Sequence, residues 1–227
     1  ETLLDLAAAS ARDALAVAGR SAEELDTVIV ATITPDNVFP AQAVALAAEI
    51  GVPGRAVVYD LSAACTGFVT ALGQAAGAIE SGRSQLALVV GADALSRVTP
   101  HDDPKSAPLF GDAAGAVVVG PVESGGIGPL VGGFDHQYRI LYSERDDGNV
   151  IRMRGRETYS HAVARMSEVI LAALEARGKS LDDVALLVPH QANIRIVQAV
   201  GEKLGIALDR VSVQIADVGN TSAASIP

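Results

Sequence analysis

Two widely separated stretches of the chain repeat one another in the same order. Near the start, Ala18-Gly19-Arg20-Ser21-Ala22-Glu23-Glu24-Leu25-Asp26 leads into the apolar run Thr27-Val28-Ile29-Val30-Ala31-Thr32. Near the end, Arg177-Gly178-Lys179-Ser180-Leu181-Asp182-Asp183-Val184 leads into Ala185-Leu186-Leu187-Val188-Pro189-His190. Each reads as a helix ended by glycine, a serine N-cap followed by acidic residues, and then a strand. The echo continues through a helical segment, Ala43 to Ile50 in one copy and Ile194 to Leu204 in the other, each stopped by glycine. A short strand is expected after each. Asp60-Leu61-Ser62-Ala63-Ala64-Cys65 then answers to Asp217-Val218-Gly219-Asn220-Thr221-Ser222. Repeated strand–helix units of this length imply parallel crossovers and a layered α/β sandwich.

The repeat divides the chain into an N-terminal half, residues 1–122, and a C-terminal half, 123–227. Between the copies, Gly115 to Val119 and Ile127 to Val131 read as a strand pair. His136 to Asn149 reads as an excursion loop, and Glu157 to Ala176 as a long amphipathic helix. Ala, Val and Gly dominate and aromatics make up only 4% of residues, which suits helices packed tightly on a buried sheet. A net charge of −10 without any basic run argues against nucleic-acid binding. No apolar stretch is long enough to span a bilayer. The single cysteine excludes an intrachain disulfide and fits a cytoplasmic location. The sequence opens at Glu1 without Met and stops at Pro227, at the expected start of a helix, so it reads as a piece incomplete at both termini.

That cysteine is Cys65. The β-branched run Ala56-Val57-Val58-Tyr59 precedes it, and an alanine-rich helical pattern from Phe68 to Ser81 follows. Strand, tight turn and helix place the thiol at a helix N-terminus, where unpaired N–H groups favour a thiolate nucleophile. The alternative for such a residue is a small buried hydrophobe. His190 ends an apolar run and stands at the C-terminal edge of a strand, where catalytic groups collect in α/β proteins; otherwise it is a structural histidine. Asn220 follows Gly219 in the loop that the repeat sets opposite Cys65; otherwise it caps the next helix. Face-to-face halves would bring the three together. A thiolate with two neutral hydrogen-bond donors suits acyl transfer, with the donors holding a thioester oxygen that turns negative when an adjacent carboxylate leaves as CO₂. His101, His136 and His161 show no partner pattern and read as surface residues. One Cys and four scattered His give no metal-ligand spacing.

Asp60 to Phe68, Phe110-Gly111-Asp112-Ala113-Ala114-Gly115-Ala116, Val188 to Arg195 and Gly219 to Pro227 together resemble the β-ketoacyl-acyl-carrier-protein synthase III family of thiolase-superfamily condensing enzymes. The resemblance implies a thiolase-like α/β/α/β/α sandwich of two repeated halves. It implies Cys65 as the acylated nucleophile, with His190 and Asn220 forming the pocket for malonyl-thioester decarboxylation. It further implies substrate contacts from Phe39, Phe110 and Asn193, and a homodimer in which Phe39 closes the partner's acyl pocket. Acyl carrier protein would dock on Arg195 and Lys203. Coenzyme A or carrier-protein thioesters enter as substrates, and no resident cofactor is implied. The activity would be an acyltransferase of the 3-oxoacyl-acyl-carrier-protein synthase III type, in fatty-acid or polyketide biosynthesis.

Two departures stand out. Where the family stacks an arginine on the adenine of coenzyme A, six residues before Phe110, this chain has Pro104 followed by Lys105; proline offers neither charge nor a planar cation. Two basic positions of the carrier-protein surface hold Glu202 and Ser160. These keep open a second reading, a synthase III-like acyltransferase that passes an acyl or malonyl group from Cys65 to an alcohol or amine. A catalytically dead partner subunit is a third reading, opposed by the intact Cys65, His190 and Asn220.

Overall fold

The computed structural model describes residues 1–227, which form two compact units. The first comprises Glu1–Ala94, Asp112–Ile127 and Thr221–Pro227; the second comprises Leu95–Gly111 and Gly128–Asn220. These units cut across the halves 1–122 and 123–227 drawn from the repeat, because Thr221–Pro227 folds with the N-terminal residues.

The first unit is built on four strands, β1 (Thr27–Ala31), β2 (Val57–Leu61), β3 (Ala87–Ala94) and β4 (Asp112–Val119), in the order β2-β1-β3-β4. β1 runs parallel to β2 and β3, and β4 pairs antiparallel with β3 along its whole length. All of β1 is buried because both faces of the sheet are covered. Val28 and Val30 join Leu88, Val90 and Ala92 against helix α1 (Leu3–Ala18) and helix α2 (Gln42–Ile50). Ile29 and Ala31 point the other way, toward Phe68, Ala71 and Ala75 of helix α3 (Gly67–Glu80). Alternation along the strand therefore sorts the side chains between two apolar layers.

Carboxylates from outside the helices fix their N-terminal ends. Asp36 accepts from the backbone N–H groups of Leu3 and Leu4 at the start of α1 (3.2 and 2.9 Å). Asp60, in β2, accepts from those of Gln42 and Ala43 at the start of α2 (2.7 and 2.8 Å). Each satisfies donors that an α-helix leaves orphaned and places negative charge at the positive end of its dipole.

In the second unit, helix α5 (Ile194–Leu204) turns Ile196, Val197, Val200 and Leu204 onto Val163, Met166 and Ile170 of helix α4 (Gly155–Ala176). A two-stranded hairpin pairs β5 (Leu141–Tyr142) with β6 (Arg152–Met153), so the expected excursion loop carries a small ladder of its own. A short helix, α6 (Ile215–Val218), precedes Gly219. No helix is long and apolar enough to cross a membrane.

Two expected strands are not formed. Ile127 to Val131 stays irregular: β4 commits its ladder to β3, and Pro129 has no N–H to give. Ala185 to His190 makes only one bridge, Leu187 to Val211, in which Leu187 donates to Arg210 O (2.9 Å) and accepts from Ser212 N (2.8 Å). Pro189 removes the next donor along that ladder.

The close approach of the turn at residues 222–225 to the sheet sets a steric requirement. A Cβ on Gly91 would lie 2.3 Å from the Ala223 carbonyl oxygen and 2.8 Å from its carbon; one on Gly67 would lie 3.0 Å from Ala31 Cβ and 3.3 Å from Ala223 Cβ. Gly91→Ala should destabilise by roughly 1–3 kcal/mol or more, because backbone must move to admit the methyl group. Gly77→Ala, on the exposed side of α3 with open space around it, should stabilise by about 0.5–1 kcal/mol. Denaturant midpoints of the two variants should move in opposite directions; a shared direction would remove Ala223 as the obstacle.

Candidate active site

In the first unit, Cys65 lies in a 3-10 turn, Ala64–Thr66, between β2 and α3. That turn runs directly into α3, so the thiol stands two residues before the first α-helical residue. Ala64 takes a left-handed conformation (φ 45°) that side-chain-bearing residues seldom adopt. Ser222, in the turn after Asn220, is likewise left-handed (φ 50°). Burial pushes the Cys65 thiol above its ordinary range, and the nearby Asp93 charge adds to this. The expectation of a thiolate stabilised by the helix N-terminus is therefore reversed in direction. The helix begins after the cysteine, while desolvation and a like charge act directly on it.

Beneath this turn sits Asp93, 0% exposed at the end of β3. One carboxylate oxygen accepts from Thr32 Oγ1 (3.1 Å), Ile33 N (2.8 Å) and Thr34 Oγ1 (3.1 Å), and the other from Ala223 N (3.2 Å). Phe39, also in this unit, is 85% exposed and so is no part of its core.

In the second unit, His190 is half-buried, and desolvation holds its pKa down at about 4. It is neutral at physiological pH and offers one N–H donor. Its backbone is steadied by the buried Gln191, which donates to Pro189 O (2.8 Å) and Ser212 O (3.1 Å) and accepts from Gln214 N (3.0 Å). Asn193 is the N-cap of α5, its side-chain oxygen accepting from Arg195 N (2.9 Å). Arg195 and Lys203 are both exposed on α5.

Asn220 is buried, at 8% exposure, and clipped to the segment around Phe110: its N–H donates to Leu109 O (2.9 Å) and its carbonyl accepts from Gly111 N (3.0 Å). Gly219 makes the clip possible. Its φ of 70° and ψ of −161° belong to glycine alone, and a Cβ there would lie 3.3 Å from Leu109 O. The helical turn that follows has Thr221, not Asn220, as its N-cap, so Asn220 is not the cap. Asn220 and Phe110 are thus brought together within this unit. The remaining histidines have local roles: His101 Nε2 meets Ser96 O (2.9 Å), His136 packs edge-on to Phe134, and His161 Nδ1 pairs with Asp135 (3.2 Å). The last pairing was not legible in the sequence.

The second unit also holds a cavity of about 610 Å³ lined by Pro104, Arg139, Tyr142, Arg152, Met153 and Arg154 among others. The Arg139 guanidinium stacks over the Tyr142 and Tyr138 rings (5.3 and 5.5 Å) and pairs with Glu144 (2.8 Å). Arg152 makes a two-point contact with Asp147 (2.7 and 3.0 Å). Sequence reasoning missed this cavity. The density of arginines between Arg139 and Arg156 is the signal the sequence offers for it.

Comparison with known proteins places these features in one class. The family model described as 3-oxoacyl-[acyl-carrier-protein (ACP)] synthase III matches residues 59–133, and its C-terminal counterpart matches 174–227. The synthase III crystal structure from Aquifex aeolicus superposes with a TM-score of 0.92 at 41% identity, over 100% of this chain and 73% of that one. The priming β-ketosynthase of the R1128 polyketide pathway superposes with a TM-score of 0.94 at 39% identity, over 100% and 71%. The α/β fold is that of the thiolase-type condensing enzymes. The β-ketoacyl-[acyl-carrier-protein] synthase III of Rhizobium meliloti is 44% identical over 100% of this chain and 74% of its own length. That of Geobacillus kaustophilus is 44% identical over 98% and 71%. The chain belongs to the 3-oxoacyl-[acyl-carrier-protein] synthase III family.

Proposed function

We propose that the protein forms a 3-oxoacyl thioester by decarboxylative condensation, with Cys65 as nucleophile and His190 and Asn220 as the donors of the decarboxylation step. The observation that carries this reading is that the two family models span the chain's three chemical residues, Cys65 in the first and His190 and Asn220 in the second. The depressed His190 pKa supports a neutral donor in preference to a protonated acid. In the first half-reaction the Cys65 sulfur bonds to the acyl carbonyl carbon, the donor's C–S bond breaks, and the donor leaves as a thiol with the proton. In the second, the malonyl C–C bond breaks and releases CO₂. The carbon nucleophile left behind attacks the Cys65 thioester, a new C–C bond forms, and Cys65 is released.

Three arginines, Arg139, Arg152 and Arg154, outnumber the carboxylates Asp102 and Asp103 in the cavity wall and suit the phosphate-bearing arm of a thioester donor. Pro104 stands in the same wall where the family stacks adenine, and the exposed ion pairs of Arg139 and Arg152 are weak enough to be exchanged for phosphate contacts. This favours binding through the phosphate over recognition of the base. Phe39, projecting from the surface of its unit, supports a homodimer in which that ring reaches the partner's acyl pocket. Two incubations test the function. Acyl thioester alone should add one acyl mass to the protein, and malonyl-carrier protein should then release CO₂ and remove the adduct. Transfer of the adduct to an alcohol or amine without CO₂ would replace condensation by simple acyl transfer.

Arg195→Glu should slow reaction with carrier-protein substrates about tenfold or more at low salt while sparing small thioesters. A charge exposed on α5 acts mainly on association with an acidic partner. Equal losses with both substrate types would assign Arg195 to the fold or the pocket.

A further inference from the structure

The segment that leads into the arginine-lined cavity of the second unit is exposed from Gly132 to Arg139 except at one residue, Asp135. Its two carboxylate oxygens face different elements. One accepts from Gln137 N (2.9 Å), at the N-cap of the 3-10 turn Tyr138–Ile140. The other accepts from Arg165 Nε and Nη2 (3.3 and 3.1 Å) and lies 3.2 Å from His161 Nδ1, both residues of α4. The far end of the turn is tied to the start of the same helix, where Ile140 O accepts from Arg154 N (2.8 Å) and Thr158 Oγ1 (3.1 Å). Between the two fastenings stands Arg139, a residue of the cavity wall. A 3-10 turn this short has few bonds of its own, so contacts from outside decide where it sits. Exposed ion pairs usually contribute little, but the Asp135 side chain is only 26% exposed and joins two elements. The Gln137 N–H first, and then the Arg165 guanidinium, hold its carboxyl at about 2, so it carries its charge at physiological pH.

We infer that Asp135 is a positioning residue for the phosphate-bearing arm of the donor: it fastens the turn Tyr138–Ile140 to α4 and so holds Arg139 in the cavity wall. Asp135 itself stands outside that wall, so it acts through Arg139. The Arg139 guanidinium is then aimed by its stack over the Tyr138 and Tyr142 rings. This rests on the reading of the cavity as the seat of the donor's phosphates. It adds that the Arg139 side of the seat is built before the donor arrives, which spares the ordering cost at binding.

A double-mutant cycle on Asp135→Asn and Arg139→Gln tests it, with calorimetric Kd values at neutral pH for coenzyme A and for pantetheine, which lacks the phosphates. Arg139→Gln should weaken coenzyme A about tenfold and leave pantetheine within about twofold, because it removes a charge-assisted contact to phosphate. Asp135→Asn leaves an amide that cannot serve both Gln137 N and the Arg165 guanidinium, so the turn is released. Coenzyme A should then bind about three- to tenfold more weakly, with pantetheine again unchanged. The sign is informative, since removal of a negative charge near an anion site would by Coulomb's law alone tighten coenzyme A. In the Arg139→Gln background Asp135→Asn should have no further effect, because it acts through that guanidinium. Tighter or unchanged coenzyme A binding in Asp135→Asn, or equal losses in both backgrounds, would overturn the inference. If Asp135→Asn does not fold, Arg165→Lys, which keeps the charge and loses the two-point contact, takes its place. A loss above about twofold that vanishes in the Arg139→Gln background is then expected, and its absence overturns the inference. Coenzyme A bound no more tightly than pantetheine by the wild type, or unaffected by Arg139→Gln, would remove the phosphate reading of the cavity and this inference with it. Binding needs no turnover, so absence of CO₂ release would sink the proposed condensation without touching this result.

Discussion

Cys65→Ala should abolish acyl-enzyme formation outright. No other thiol exists in the chain to replace it. Mass spectrometry after incubation with an acyl thioester should show no adduct on the variant; a stable adduct there would remove Cys65 from the mechanism. Cys65→Gln should leave malonyl decarboxylation intact or raised, because a side-chain amide resembles the acylated state. The wild-type thiol should also show a definite pH signature. Its folded pKa is raised by burial and by Asp93, so the folded state prefers the protonated form. Alkylation of folded protein should then be slower than that of urea-unfolded protein at pH 8, and should climb about tenfold per pH unit through the ordinary thiol range. By the same linkage, deprotonation above the unfolded-state pKa works against folding, so the thiol's contribution to stability is present below that pKa and lost as pH rises. Faster alkylation of the folded state at neutral pH would restore the dipole argument that the structure reverses.

The sequence carried the order of elements well because its punctuation is chemical. Gly19, Gly51 and Gly205 end helices in left-handed conformations, and Ser21 and Ser180 make capping boxes as their spacing implied. Strand pairing was less legible. Ile127 to Val131 and Ala185 to His190 have the composition of strands, but a strand requires a neighbour with open hydrogen-bonding groups, and that is a property of distant residues. The apolar run of β1 could be read as a strand, but not that Val28 and Ile29 serve different helices.

The candidate site divides similarly. Cys65, His190 and Asn220 were picked out by residue type and by the repeat, and Gly219 by the tight backbone it permits. Asp93 went unnoticed, although an acidic residue inside Ala87-Leu88-Val89-Val90-Gly91-Ala92-Asp93-Ala94 was the visible anomaly. Its partners, Thr32, Thr34 and Ala223, lie far away in sequence, so nothing local announces the network. Asp60, prominent in the same motif as Cys65, proves to be the cap of α2. The thiol's pKa could not be inferred locally either. A helix N-terminus can be read from sequence, whereas desolvation and the Asp93 charge depend on tertiary packing.

His190→Ala and Asn220→Ala should each lower malonyl decarboxylation by ~10²–10³ while Cys65 still acylates, since each removes one donor to a developing oxyanion. The structure makes the two losses different in kind. His190 is already neutral at physiological pH, so His190→Ala should change the decarboxylation rate without removing an ionisation between pH 5 and 8. Folded His190 resists protonation down to about pH 4, so its burial weakens stability as pH falls below the unfolded-state value near 6.5. His190→Ala should therefore lose part of the wild-type acid sensitivity in denaturant midpoints between pH 7 and 4. Asn220→Ala keeps the backbone clip to Leu109 and Gly111, which uses only main-chain atoms, so its fold should survive and the defect should be chemical. Gly219→Ala inverts this, retaining the amide but straining the backbone that presents it. If Asn220→Ala decarboxylates at the wild-type rate while Gly219→Ala does not, the loop serves the site through its backbone and the side chain is not a donor.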